Sequence, residues 1–195
     1  VAAANERLLR VARRRGDGLA TGLALSDLGA AAAMLGDTAT AVERFTAAAE
    51  ALERTGERGE LARALMNLVY VRRTRGEPLL ELAALERVAP LHEALGDAAA
   101  TIDAWVGIGN VRLRQSDLAG ARAAYERALA LAEPRNDRRA VAVATNGLGN
   151  VQLDLGDVER ALASFQRAME LQREVGDAAG ASATPRARRS TRVSQ

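Results

Sequence analysis

The chain has 195 residues, no cysteine, and 27 basic residues that are all arginine. The missing thiols exclude a disulfide framework, thiolate chemistry and a cysteine-bound zinc site, and no apolar run approaches the roughly 18 residues that a spanning helix needs. The pI near 9.8 suggests nucleic acid. However, Arg186, Arg188, Arg189 and Arg192 all follow the last acid, Asp177, which leaves 23 arginines against 25 acids before it. That body lacks the cationic excess that phosphate binding requires. A cytoplasmic location is expected.

Taken in chain order, the sequence is punctuated every 20 residues. The marks are Gly16-Asp17, Gly36-Asp37, Gly56-Glu57, Gly76-Glu77, Gly96-Asp97, Ser116-Asp117, Asn136-Asp137, Gly156-Asp157 and Gly176-Asp177. Glycine, and next best asparagine, tolerates the positive φ at which helices commonly end. The acid that follows caps the next helix and faces its positive end. Pro78 after Glu77 suits a first helical position. The spacing predicts helices at about 1–15, 18–35, 38–55, 59–75, 78–95, 98–115, 118–133, 138–155 and 158–175, with a turn at every mark including Gly176.

These helices pair into a 40-residue repeat. A half unit at 1–17 precedes full units at 18–57, 58–97, 98–137 and 138–177, and residues 178–195 read as a basic, disordered tail. Within the units, Leu28, Leu68, Ile108 and Leu148 align, as do Gly29, Gly109 and Gly149, with Val69 the exception. In the second helices Ala41, Ala121 and Ala161 align, with Glu81 the exception. Phe45, Leu85, Tyr125 and Phe165 form a large column, followed by Ala48, Val88, Ala128 and Ala168. Small residues suit close helix crossings, and one large side chain fills the wedge beside them. Phe45, Trp105, Tyr125 and Phe165 are therefore expected in the core.

The segments "AWVGIGNVRLRQSDLAGARAAYERAL" and "ATNGLGNVQLDLGDVERALASFQRAM" resemble the tetratricopeptide repeat, in a 40-residue form similar to kinesin light chain, LGN-type adaptors and actinobacterial regulatory arrays. One departure runs through all four units: the usual Tyr three residues after the Gly is Ala32, Arg72, Arg112 or Gln152. The resemblance implies an all-α, right-handed solenoid whose first helices line a concave groove. Groove positions carried over by register are Leu23, Ser26, Ala30, Ala33 and Met34 in unit one, and Arg63, Met66, Tyr70, Arg73 and Thr74 in unit two. Unit three supplies Asp103, Val106, Asn110, Leu113 and Arg114, and unit four Val143, Asn146, Asn150, Leu153 and Asp154. Asn110 and Asn150 match the Asn that holds the backbone of an extended peptide in such arrays. Arg63, Tyr70, Arg73, Asp103, Asn110, Arg114, Asn146, Asn150 and Asp154 are the candidate binding residues.

Catalytic chemistry is not expected. His92 stands alone, and "GIGNVR" lies inside a helix with Arg112 in place of a third glycine, so it is no dinucleotide loop. No cofactor is implied. The leading expectation is a scaffold for a protein or extended peptide, with an acidic partner drawn to the groove arginines. The alternative is a sensor segment of a larger bacterial regulator. Neither nucleic acid nor membrane is an expected partner. The ends look unfinished, so the chain is expected to continue in a longer protein or to self-associate.

Overall fold

The computed structural model describes residues 2–183. They form nine α-helices: α1 (Ala2–Arg15), α2 (Gly18–Met34), α3 (Thr38–Glu53), α4 (Arg58–Thr74), α5 (Pro78–Ala94), α6 (Ala98–Arg114), α7 (Leu118–Ala132), α8 (Arg138–Asp154) and α9 (Val158–Ala183). A single 3-10 turn, Glu133–Arg135, extends α7. Among the described residues there is no β-strand. Each helix packs on the next in sequence, which makes the chain a helical solenoid.

Local chemistry explains where the helices stop and start. Every mark from Gly16 to Gly156 takes a positive φ, including the non-glycine residues Ser116 (59°) and Asn136 (52°). The carboxylates of Asp17, Asp37, Asp97, Asp117, Asp137 and Asp157 then each accept a backbone N–H three residues on, at 2.9–3.2 Å. Glu57 and Glu77 occupy the same position without a side-chain cap, because their extra methylene displaces the carboxylate from the first-turn N–H groups.

The ninth mark behaves differently from its expectation. α9 runs straight through Gly176 and ends at Ala183 rather than turning at 176. A glycine permits a turn but does not require one. At the other marks a following helix packs back on its predecessor and holds the turn closed. Among the described residues no helix follows α9. The tail beyond Ala183 lies outside the described residues.

The columns seen in the sequence are the layers of the core. Phe45, Leu85 and Tyr125 are buried. A Cβ added at Gly29 would sit 2.9 Å from the Phe45 ring, and one at Gly109 would sit 2.7 Å from Tyr125. Close approach of the helix axes is therefore what these glycines supply. Phe165 and Trp105, expected in the core, are only half-buried, and Arg127 stacks 4.5 Å from the Trp105 ring centre.

Contacts between units set the curvature. α2 touches α4 and α6 touches α8, whereas among the described residues no comparable contact joins α4 to α6, α3 to α5 or α5 to α7. Two of the three neighbouring first-helix pairs therefore approach each other, as they do on the inner side of a curved array.

Candidate functional site

The inner face carries side chains that the core does not take. Met34, Met66, Tyr70, Val143 and Leu153 sit at the register positions named above, and all are exposed; Tyr70 is 67% exposed. Large apolar side chains are exposed elsewhere as well, among them Leu35, Leu79 and Val158. At the register positions Asn110 and Asn146 are exposed and Asn150 is half-buried. Asp103 and Asp154 are also exposed and make no ion pair with a described residue.

The two amides expected to act alike differ. Asn110 Oδ1 accepts a 2.7 Å hydrogen bond from the Tyr125 hydroxyl, which leaves its amide N–H2 free. Burial pushes the Tyr125 phenol up to about 12, with the Arg114 charge pulling the other way. The phenol therefore remains a donor and fixes Asn110. Asn150 has no counterpart of this bond, because Phe165 stands where Tyr125 stands.

The groove arginines are not free point charges. Arg63 pairs along its own helix, its Nε donating to Glu60 at 2.9 Å. Arg73 Nε donates to Glu81 Oε1 at 2.6 Å, and Arg114 donates through one terminal nitrogen to Glu81 Oε2 at 2.6 Å. Glu81 comes from the first turn of α5, Arg73 from the last turn of α4, and Arg114 from the last turn of α6. The triad links units two and three and borders a cleft of about 470 Å³ with Gly76 and Pro78. A second cleft of about 330 Å³ lies between α6 and α8, where Asp103 faces Val106, Asp137, Arg139, Ala140 and Val143.

Glu81 is the residue that register alone left out of the site. Its signal was the break in the alanine column. Among the described residues no three His, Asp or Glu side chains gather in a metal-binding group, and no helix is long and apolar enough to cross a membrane.

Comparison with known proteins bears on the fold. Residues 100–174, which hold units three and four, match the tetratricopeptide-repeat family model. Units three and four are thus tetratricopeptide repeats, and the helix pairs before them continue the same helical solenoid. No curated protein matches it. Among solved structures the array is similar to aspartyl phosphate phosphatase F from Bacillus subtilis, at 15% identity and a TM-score of 0.68 over 83% of this chain. That match spans only 42% of the phosphatase. It is also similar to MamA, at 18% identity and a TM-score of 0.62, covering 87% of this chain and 97% of MamA. MamA from Desulfovibrio magneticus RS-1, residues 41 to the end, is 21% identical with a TM-score of 0.61, over 89% and 96% of the two chains. At these identities the likeness is one of fold.

Proposed function

We propose that the tetratricopeptide array, spanning residues 1–177, is a non-catalytic protein-binding scaffold that holds an extended segment of a partner along its inner face. The observation that carries this reading is the exposure of Met34, Met66, Tyr70, Val143 and Leu153 at the groove register positions of the first helices, apolar groups of the kind that line interaction surfaces. An extended segment suits these positions. Helices that pack side by side, as α6 and α8 do, lie roughly 10 Å apart, which is about three residues of extended chain. Asn150, and the free N–H2 of Asn110, supply donors for its backbone.

The electrostatic part of the reading changes once Glu81 is included. Arg73 and Arg114 share one carboxylate, so the pair offers one net positive charge rather than two. An acidic group on the partner is attracted, but less strongly than two unpaired arginines would attract it. The exposed carboxylates of Asp103 and Asp154 further along the face favour a partner that is not acidic throughout.

A second reading has one supporting observation. More than half of the similar phosphatase chain lies outside the match, so such an array can be one part of a longer protein. This chain would then be a sensory segment whose inner face receives the signal.

The test is a titration of a captured partner against Tyr70→Ala, Asn150→Ala and Arg114→Ala, with Glu126→Ala on α7 as the control and melting curves to confirm the fold. Each groove substitution is expected to weaken binding roughly 5- to 150-fold, the equivalent of about 1–3 kcal/mol. Groove variants that bind like the parent chain, with loss only at Glu126, would overturn the reading.

A further inference from the structure

We propose that Arg73, Glu81 and Arg114 form a built oxyanion site that takes a carboxylate or phosphate group presented by the partner segment. This rests on the inner-face reading and narrows it to one chemistry at one place.

The argument begins with a cost. Three units fold with buried Ala41, Ala121 or Ala161 where unit two has Glu81. Helix packing therefore asks only for a methyl group there. A carboxylate withdrawn from water carries a desolvation penalty of several kcal/mol, which is offset only by good ion pairing. The Glu81 side chain is 2% exposed, while Arg73 and Arg114 are 54% and 50% exposed. The fold thus buries the anion and leaves both cations at the surface. If the triad only had to close a gap between helices, alanine would do so at lower cost.

What Glu81 achieves is placement. Each of its oxygens holds one arginine at 2.6 Å, so two like charges are kept side by side at the ends of α4 and α6. A guanidinium has five N–H donors, and each arginine gives one to Glu81. Both arginines border the cleft of about 470 Å³, with donors to spare. Its other walls, Gly76 and Pro78, bring no competing acid. The nearby Glu77 carboxylate is engaged by Arg75 Nε at 2.6 Å. Surplus positive charge together with planar, forked donors matches a bidentate oxyanion. Carboxylate and phosphate share that chemistry.

The experiment follows the arginine Nε–H signals of the full chain by NMR. One arm is titrated with glutarate and the other with inorganic phosphate, at constant ionic strength. The signals of Arg73 and Arg114 are expected to shift saturably. Arg87, paired with Glu53 at 3.2 Å on the outer helices, should not. Arg114→Ala should abolish the saturable shift of Arg73. Glu81→Ala should weaken binding about tenfold or more, the scale of a lost charged hydrogen bond, with the melting curve little changed. A response to glutarate alone assigns an acidic side chain or chain terminus, and to phosphate alone a phosphorylated residue; a response to both establishes the shared site. Three results would overturn the proposal: no shift at either arginine, equal shifts at all arginines, or tighter binding in Glu81→Ala, which would make Glu81 a competitor. If the probes fail while Tyr70→Ala and Asn150→Ala still weaken the partner, the oxyanion site falls and the inner-face reading stands. If the probes bind and those variants have no effect, the reverse holds.

Discussion

Units two and three share one pattern of paired helices and pack it in different ways. In unit three the Tyr125 ring lies against Gly109, and Ala121 fills the narrow point between helices. In unit two the glycine becomes Val69 and the ring becomes Leu85, and both share one buried cluster. Bulk removed from one helix is thus returned by its partner, as near-native packing density requires. Glu81 fits no such trade. It replaces a methyl with a charge and draws in two arginines from neighbouring helices. The volume exchange between Val69 and Leu85 is a packing solution, whereas Glu81 is explained only by what it holds at the surface.

The largest test of this contrast is truncation of the large column. Tyr125→Ala should cost about 3–5 kcal/mol and Leu85→Ala somewhat less, because the ring fills more of the wedge. Phe165→Ala, at a half-buried ring, should cost less than either. Urea denaturation monitored by circular dichroism reads all three. Coupling between neighbouring repeats should spread each loss to adjacent units. Equal costs for Tyr125 and Phe165 would show that the array does not distinguish its interior from its last unit.

A second difference between the units depends on pH. The Tyr125 phenol is raised from 10.0 to about 12, mainly by burial. A group whose folded pKa lies above its unfolded value contributes stability that is complete below the unfolded pKa. That stability is lost as pH rises through the folded one. Unit three should therefore loosen between pH 10 and about 12, while unit two, with Leu85 at that position, has no such group. Tyr125→Phe should flatten the decline in that window, at the expense of the bond to Asn110. An unchanged alkaline profile would count against a neutral buried phenol.

Much of the fold could be read directly because its determinants are local. The turn at Asn136 was legible because a positive φ and a capping acid lie within two residues of each other. Gly176 carries the same signal and does not turn, since a closed turn also needs a helix to pack back, which is not a local property. Tyr125 reads as core from its column, and its hydroxyl bond to Asn110 cannot be seen without the side-chain geometry. Glu81 was visible as an anomaly, but its partners lie 8 and 33 residues away. Only the stacking of one unit on the next brings them together.

Transplanting one solution into the other unit should be partly reversible. Gly109→Val alone places atoms against the Tyr125 ring and should cost about 1–3 kcal/mol through overpacking. Adding Tyr125→Leu recreates the pairing of unit two and should recover part of that loss. A double-mutant cycle should show a favourable coupling of about 0.5–3 kcal/mol. Strict additivity would mean that Val69 and Leu85 do not compensate each other.

Glu81→Ala is expected to change stability by less than about 1 kcal/mol. Removing one partner of a buried pair is severe when it strands a buried charge. Here the buried member is the one removed, and both arginines remain half in water. Alanine is also the residue that the other three units use. A loss of several kcal/mol on denaturation would make the triad a structural lock and return Glu81 to the fold.

The smallest effect concerns the caps, where unit two again departs from unit three. Asp97 and Asp117 accept the N–H groups of Ala100 and Gly120 at 3.0 and 2.9 Å. Glu57 heads α4 with no side-chain bond to the first turn. Its own N–H is bonded by Thr55 Oγ1 at 3.2 Å, so the approach to the helix is already fixed. Glu57→Asp shortens the side chain by one methylene and brings the carboxylate to the reach used at the aspartate marks. The negative charge at the helix N-terminus is kept, so any gain reports the cap alone. A gain of about 0.5 kcal/mol is expected, at the low end of cap energies. Glu77→Asp is the harder case, because Glu77 also binds Arg75 at 2.6 Å and the shorter acid must give up one bond to make the other. Its net effect should be close to zero. If Glu57→Asp gains nothing in the urea midpoint, helix length and packing set the start of α4, and the acid at the mark acts there only through its charge.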